Sequence, residues 1–368
     1  MIIFADPKKE YLFLKKKINS QIIKVLNKGV YTLGEETKSF ENNFTKYIGA
    51  KYSTSVNSGT DAIKISLLAL GIGKGDEVIT SSHTALATIA AIIDVGATPV
   101  LIDIDNKTYN LKTNQIKKSI TKKTKAIIPV HIYGQSCDMN SIKIIANQHG
   151  LRIIEDCSQA TGSKYKKNFV GTFGDIGCFS FYPTKNLAAF GDGGMISTNN
   201  KVIYNNVKSI KQYGWNQFKS PKSKLIGINS RLDEIQAAIL NLKIKYLEKL
   251  IKKRINIAKI FNNHIDSKFY KLPFADPQNK HSYHLYVIQS KNRNKLIEEF
   301  KKHDVFVGIH YNHLITEYRG YKKFLKVPFE IKNTKKLYDN AISIPNHPYL
   351  KNNEIKKILK ILEKYRYV

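Results

Sequence analysis

Apolar residues recur three and four apart through the opening stretch, where Tyr11, Leu14, Ile18, Ile22 and Val25 share one face of a helix over residues 7–28. Gly29 supplies its stop signal. From about residue 50 to 200 the pattern changes to short β-rich runs at 52–56, 77–80, 99–103, 125–130, 151–155, 177–181 and 194–198. Helical stretches such as 60–70, 85–95 and 139–149 lie between them. This alternation predicts an α/β fold, a mostly parallel sheet flanked by helices. Right-handed crossovers then leave the functional loops at the carboxyl ends of the strands.

Beyond about residue 230 the pattern turns helical. Ile235, Ala238, Ile239, Leu242, Leu247 and Leu250 predict one long helix over 232–261. A strand at 282–289 and helices at 292–303 and 353–365 complete a smaller α+β part. The expected division is an N-terminal segment with a large α/β domain over 1–230, then the long helix and a small C-terminal domain over 231–368. No internal repeat or disordered linker interrupts the pattern.

Composition narrows the classes. With 368 residues, 42% of them hydrophobic, the chain can bury a large core. No run reaches the roughly 18 apolar residues of a membrane span, and the start lacks a signal-peptide core, so a cytoplasmic protein without a membrane partner is expected. Cys137, Cys157 and Cys178 have no paired spacing, which argues against disulfides and structural zinc, and they read as small buried hydrophobes. A net charge of +31 suggests nucleic acid, yet only six of the 60 basic residues are arginine, the bidentate reader of bases and phosphates. The remaining 54 lysines are scattered along the chain, as solvated faces are. No nucleic-acid partner and no metal are expected.

Three motifs carry candidate chemistry. Asn57-Ser58-Gly59-Thr60-Asp61-Ala62 falls where a strand turns into a helix. Unpaired N–H groups and the helix dipole favour an anion there, although an ordinary Ser/Thr cap reads the same way. In Ile153-Ile154-Glu155-Asp156-Cys157-Ser158-Gln159-Ala160, Asp156 sits just past an apolar strand, at its carboxyl end, where a carboxylate can hold a proton on a ring nitrogen or simply cap a helix. Gln159 could reach the same ring from another edge. In Phe179-Ser180-Phe181-Tyr182-Pro183-Thr184-Lys185, followed by Gly191-Asp192-Gly193-Gly194, the lysine lies in an aromatic, Pro- and Gly-bounded loop. Such a pocket eases its deprotonation, which a carbonyl-attacking amine needs, and the glycine run would let backbone pass close to a ligand. A surface-loop lysine is the alternative. Cradle, then acid, then lysine are the parts that hold pyridoxal phosphate.

At these motifs the chain resembles the DegT/DnrJ/EryC1/StrS sugar aminotransferases, a branch of the fold type I pyridoxal-phosphate enzymes. The likeness extends through Gly34, Phe40-Glu41, Gly75-Asp76-Glu77-Val78-Ile79, Gly227, Asn229-Ser230-Arg231-Leu232-Asp233-Glu234 and His284-Leu285-Tyr286-Val287. It implies that Lys185 is the covalent anchor and proton carrier and that Asp156 pairs with the pyridinium nitrogen. Gln159 would contact the ring hydroxyl. Ser58, Gly59, Thr60 and Ser180 would hold the phosphate, with Asn229 reaching it from the second subunit of a homodimer. Many members place an aromatic residue on the cofactor where this chain has Ala85, so Ala85 or nearby His83 becomes the candidate for that ring face.

The resemblance also implies a substrate. The wording around Lys185 is similar to members that aminate C3 of dTDP-linked 3-keto-6-deoxyhexoses, with L-glutamate as donor and pyridoxamine phosphate formed between the two halves. The product would be a deoxyamino sugar for O-antigen or another surface glycan. C4 amination of a 4-keto nucleotide sugar is the alternative, since C4 members more often read Gly-Glu-Gly-Gly after the lysine. A dehydratase with the same cofactor would carry histidine in place of Lys185, and a non-catalytic binding protein is the remaining rival. Tyr182, His310 and Tyr311, with Asn312-His313 beside them, are candidates to face the sugar.

Overall fold

The computed structural model describes residues 1–215, 223 and 225–366. β1 (Ile2–Ile3) leads into α1 (Pro7–Lys28) and α2 (Glu35–Ile48). Strands and helices then alternate through β2 (Tyr52–Val56), α3 (Gly59–Ala69), β3 (Glu77–Ser81), α4 (Leu86–Asp94), β4 (Thr98–Ile102) and α5 (Thr113–Ser119). β5 (Thr124–Ile128), α6 (Met139–His149) and β6 (Arg152–Asp156) follow, and β7 (Lys164–Tyr165) pairs with β8 (Asn168–Phe169) in a hairpin. β9 (Ile176–Ser180), β10 (Gly194–Thr198) and α7 (Lys201–Ile210) close this part. The remainder runs α8 (Glu234–Ile244), α9 (Leu247–His264), β11 (Tyr286–Gln289), α10 (Arg293–Lys302), β12 (Val305–Phe306), α11 (Arg319–Lys322), α12 (Lys332–Asn340), β13 (Ala341–Ile344) and α13 (Asn352–Lys364).

The central sheet has the order β2-β10-β9-β6-β5-β3-β4. Five neighbouring strands, from β9 to β4, are mutually parallel, and β10 alone runs antiparallel to both its neighbours. The mostly parallel sheet expected from the sequence is therefore present. Its strands are buried along nearly their full length, because helices cover both faces and remove the need for polar alternation. α3 shows the same logic: Ala62, Ile63, Ile65, Ser66 and Leu67 are all buried, and Ser58 caps its start by accepting from the Asp61 N–H.

The long helix expected over 232–261 is two helices. α8 ends at Ile244 and α9 begins at Leu247, with no glycine or proline at the break. Packing forces the turn. α8 lies against α1 and α2 and is buried almost all round, whereas α9 sends Ile257, Ala258 and Phe261 into a second core. That core also gathers Tyr286, Ile288, Phe300, Ile342 and Ile358, and Ile2 joins it from the other end of the chain through β1–β12 pairing. The strand expected at 282–289 starts only at Tyr286, since Tyr283 takes a left-handed φ of 48° that extended pairing cannot use.

Candidate active site

The carboxyl ends of the parallel strands converge on one cavity of about 210 Å3. Asp156 is the last residue of β6, Ser180 the last of β9, and Ser58 follows β2 by two positions. Side chains alternate along a strand, so the adjacent acids of β6 serve opposite faces. Glu155 turns away and is saturated. Its carboxylate accepts from the Gly171, Phe173 and Gly174 N–H groups and from His131 Nε2. His131, Glu155 and Cys157 lie close enough together to ligate an ion, but these bonds already commit the carboxylate. All three cysteines are free and buried.

Asp156 faces the cavity. One oxygen accepts from the Thr88 hydroxyl at 2.8 Å and the other from the Ser158 N–H at 3.0 Å. Thr88 is bonded in turn to Thr84 at 2.7 Å, so two buried hydroxyls, one just before α4 and one in its first turn, back the carboxylate. Lys185 lines the same cavity, and among the described residues no group accepts a hydrogen bond from its Nζ. Burial pushes its amine down to about 8, and the Asp156 carboxylate offsets part of that effect.

The third wall is the N-terminus of α3. Ser58, Gly59 and Thr60 line it together with Ser180. A Cβ on Gly59 would lie 2.8 Å from Ser180 Cβ and 3.1 Å from Ser158 Oγ, so only glycine lets the backbone pass here. The later glycine run works differently from its sequence reading. A Cβ on Gly194 would lie 2.3 Å from the Ser58 carbonyl oxygen, so the close approach is of β10 to the cradle itself.

Gln159 lines the cavity with both ends of its amide held. Its Oε1 accepts from the Tyr133 N–H, and its Nε2 donates to the Tyr311 hydroxyl at 2.7 Å. Tyr133 also donates through its hydroxyl to the His310 carbonyl, which joins the far segment to the sheet. Tyr311 and His310 thus border the site without lining the cavity. Burial and the Lys185 charge push His310 down to about 4, leaving it neutral. Asn312 and His313 are exposed.

Ala85 caps α4 and lines the cavity beside Val130, and Tyr182 lines it while staying exposed. His83 does not fill the gap left by the missing aromatic. It is fully buried, lies outside the cavity lining and donates from Nε2 to the Tyr133 hydroxyl at 2.7 Å. Burial pushes it down to about 3. Nine of the sequence candidates therefore meet in one cavity, His310 and Tyr311 stand behind Gln159, and Asn229 is exposed outside it. Sequence reasoning missed Thr84, Thr88, Val130 and Ser158. The one available signal was the pair of hydroxyls at i and i+4 beside Ala85.

A helix start, a carboxylate and an amine with no hydrogen-bond acceptor among the described residues line one cavity, and they fit the phosphate, ring nitrogen and aldehyde of pyridoxal phosphate. Residues 13–363 match the family model of the DegT/DnrJ/EryC1/StrS aminotransferase family. The chain belongs to this family. It is 39% identical, over the full length of both chains, to the dTDP-3-amino-3,6-dideoxy-alpha-D-galactopyranose transaminase of Aneurinibacillus thermoaerophilus. It is 36% identical to the UDP-2-acetamido-2-deoxy-3-oxo-D-glucuronate aminotransferase of Pseudomonas aeruginosa, over 98% of this chain and 99% of that one. Among solved structures, S. venezuelae DesV superposes with a TM-score of 0.95 at 31% identity, covering 99% of this chain and 98% of that one. NtdA of Bacillus subtilis, solved with bound cofactor PMP, superposes at 0.88 with 28% identity over 96% and 82%. The protein is accordingly a pyridoxal-phosphate sugar aminotransferase with the fold of this family. Among the described residues no helix is long and apolar enough to cross a membrane.

Proposed function

We propose that the protein transfers an amino group from L-glutamate to C3 of a dTDP-3-keto-6-deoxyhexose, yielding a dTDP-3-amino-3,6-dideoxyhexose for a surface glycan such as O-antigen. The observation that carries the chemistry is Lys185, an amine with no hydrogen-bond partner among the described residues, pushed down to about 8 in the cavity that holds Asp156. The specificity rests on likeness to the galactopyranose transaminase.

Bound pyridoxal phosphate supplies an aldehyde that accepts amines and a ring that drains charge from the adjacent carbon. The chain's own groups do the rest. Lys185 Nζ would be the covalent anchor and, once released, would move a proton from the donor's α-carbon to the cofactor's reacting carbon, then in the second stage from that carbon to the sugar carbon. Asp156, held by Thr88 and Ser158, keeps a proton on the ring nitrogen. Ser58, Gly59, Thr60 and Ser180 bind the phosphate, and Asn229 of a second subunit completes that cradle. Gln159, with one N–H still free of a partner among the described residues, would hold the ring hydroxyl, and Ala85 would cover a face of the ring. Tyr182, His310 and Tyr311 border the sugar, with His310 neutral so that it can donate or accept without a charge.

Adding L-glutamate to the yellow protein should bleach it, and a dTDP-3-keto-6-deoxyhexose should then restore the colour. NMR of the product should place nitrogen on C3. Nitrogen on C4 after a 4-keto sugar nucleotide, with the 3-keto compound inert, would overturn the regiochemistry. Turnover confined to a UDP-linked sugar would overturn the nucleotide.

A further inference from the structure

A second cleft of about 550 Å3, within the usual size of ligand pockets, opens beside the carboxyl ends of β4 and β5 and shares no lining residue with the active cavity. Its floor is the segment after Gly134. Asn110 fixes that backbone by donating to the Gln135 and Ser136 carbonyls and accepting from the Ile132 N–H. Gln135 and Ser136 are 4% and 5% exposed, and neither Gln135 Oε1 nor Ser136 Oγ has a hydrogen-bond partner among the described residues. Gln135 Nε2 donates to the Thr108 carbonyl, which assigns the other end of the amide as oxygen. A buried acceptor left without a donor forfeits its bond to water and is destabilising until a ligand supplies one.

We propose that this cleft is an accessory binding site for a neutral polyol, the hydroxylated ring of a monosaccharide unit. Gln135 Oε1 can only accept, so the ligand donates an O–H to it, and Ser136 Oγ takes either role. The walls carry three carboxylates, Asp105, Asp138 and Asp276, against two ammonium groups, Lys107 and Lys112. Three acids repel a phosphate or carboxylate, and two lysines disfavour a polycation. A ring of hydroxyls donates to the acids and the glutamine while accepting from the lysines. Asp138 keeps a fixed orientation as the cap of α6 and by accepting from the Tyr165 hydroxyl at 2.8 Å.

The test is saturation-transfer NMR on the full-length, cofactor-loaded protein, with methyl α-D-galactopyranoside and methyl α-D-glucopyranoside as single rings and maltotetraose as a glycan segment. Saturation should reach the ring protons of at least one probe. Gln135→Leu should weaken that binding about tenfold, Gln135→Glu should retain it, and aminotransfer should stay within about twofold in both. Transfer to the methyl glycosides would identify a free monosaccharide as the ligand, and transfer to maltotetraose alone a chain. The proposal is overturned by no transfer from any probe at about 50 mM, or by equal transfer in the wild type and Gln135→Leu. Gln135→Glu, which keeps an acceptor in place, guards against a fold defect in the leucine variant. Because aminotransfer is measured separately, its outcome does not depend on the substrate proposed above.

Discussion

An ammonium enclosed by protein gives up its water shell, so Lys185 releases its proton near pH 8 where a solvated lysine holds on to about 10.5. Attack on an aldehyde needs the free amine. Below pH 8 the protonated form dominates and attack is slow; above it the free amine dominates and the rate levels off. The apo protein should therefore capture added pyridoxal phosphate at a rate that rises with pH around a midpoint near 8, followed by absorbance. Asp156 raises the proton affinity of Lys185, so Asp156→Asn should move that midpoint downward. Lys185→Ala should lower turnover by roughly 10^4-fold or more. Thr88 acts through Asp156. Thr88→Val removes a hydrogen bond to a charged group, worth about 1.5–3 kcal/mol, and should weaken cofactor binding at least about tenfold in equilibrium dialysis. Thr88→Ser should restore it, an outcome that loss of core packing alone would not give.

At the scale of elements, one buried carboxylate ties two helices together. Glu234, in the first turn of α8, accepts from the Gly34, Glu36 and Thr37 N–H groups and from the Thr37 hydroxyl, which caps α2 from outside its own chain segment. A Cβ on Gly34 would lie 2.5 Å from Glu234 Oε2, which explains the glycine before α2. Glu234→Gln turns an amide N–H toward the Glu36 N–H and should cost about 2–4 kcal/mol, read as a lowered urea midpoint with unchanged slope. α2 itself was not legible, because its buried face of Thr37, Phe40, Phe44 and Ile48 is diluted by charge and asparagine. The strands of the sheet were legible, since burial on both faces writes continuous apolar runs. The reversal of β10 was not, because a buried antiparallel strand has the same composition as a parallel one. The break between α8 and α9 is set by a change of core and leaves no breaker in the sequence. The cavity shows the same division. Ser58-Gly59-Thr60, Asp156 and Lys185 each sit in a local motif, whereas Tyr311 meets Gln159 across 152 positions and Thr88 meets Asp156 across 68.

At the scale of the whole molecule, the proposal that Asn229 completes the cradle of a second subunit is open to test. The segment around Asn229 is fastened from behind: Ser230 accepts from the Asn57 N–H and donates to Asp61, and Asn229 itself bridges to Gln212. That anchorage holds Asn229 exposed outside its own cavity, so its proposed contact with phosphate requires a second copy of the chain. In a two-fold dimer each partner lends the same residue to the other. Two inactive proteins then become informative together. A subunit with Lys185→Ala still offers Asn229, and a subunit with Asn229→Ala still holds Lys185, so a mixed dimer contains one intact site and one doubly broken site. Random exchange makes half the dimers mixed, and mixing equal amounts after unfolding and refolding should recover about a quarter of wild-type activity, measured as glutamate-driven amination. If Asn229 served its own cavity, no mixed dimer would hold an intact site and mixing would recover nothing beyond the average of the two parents.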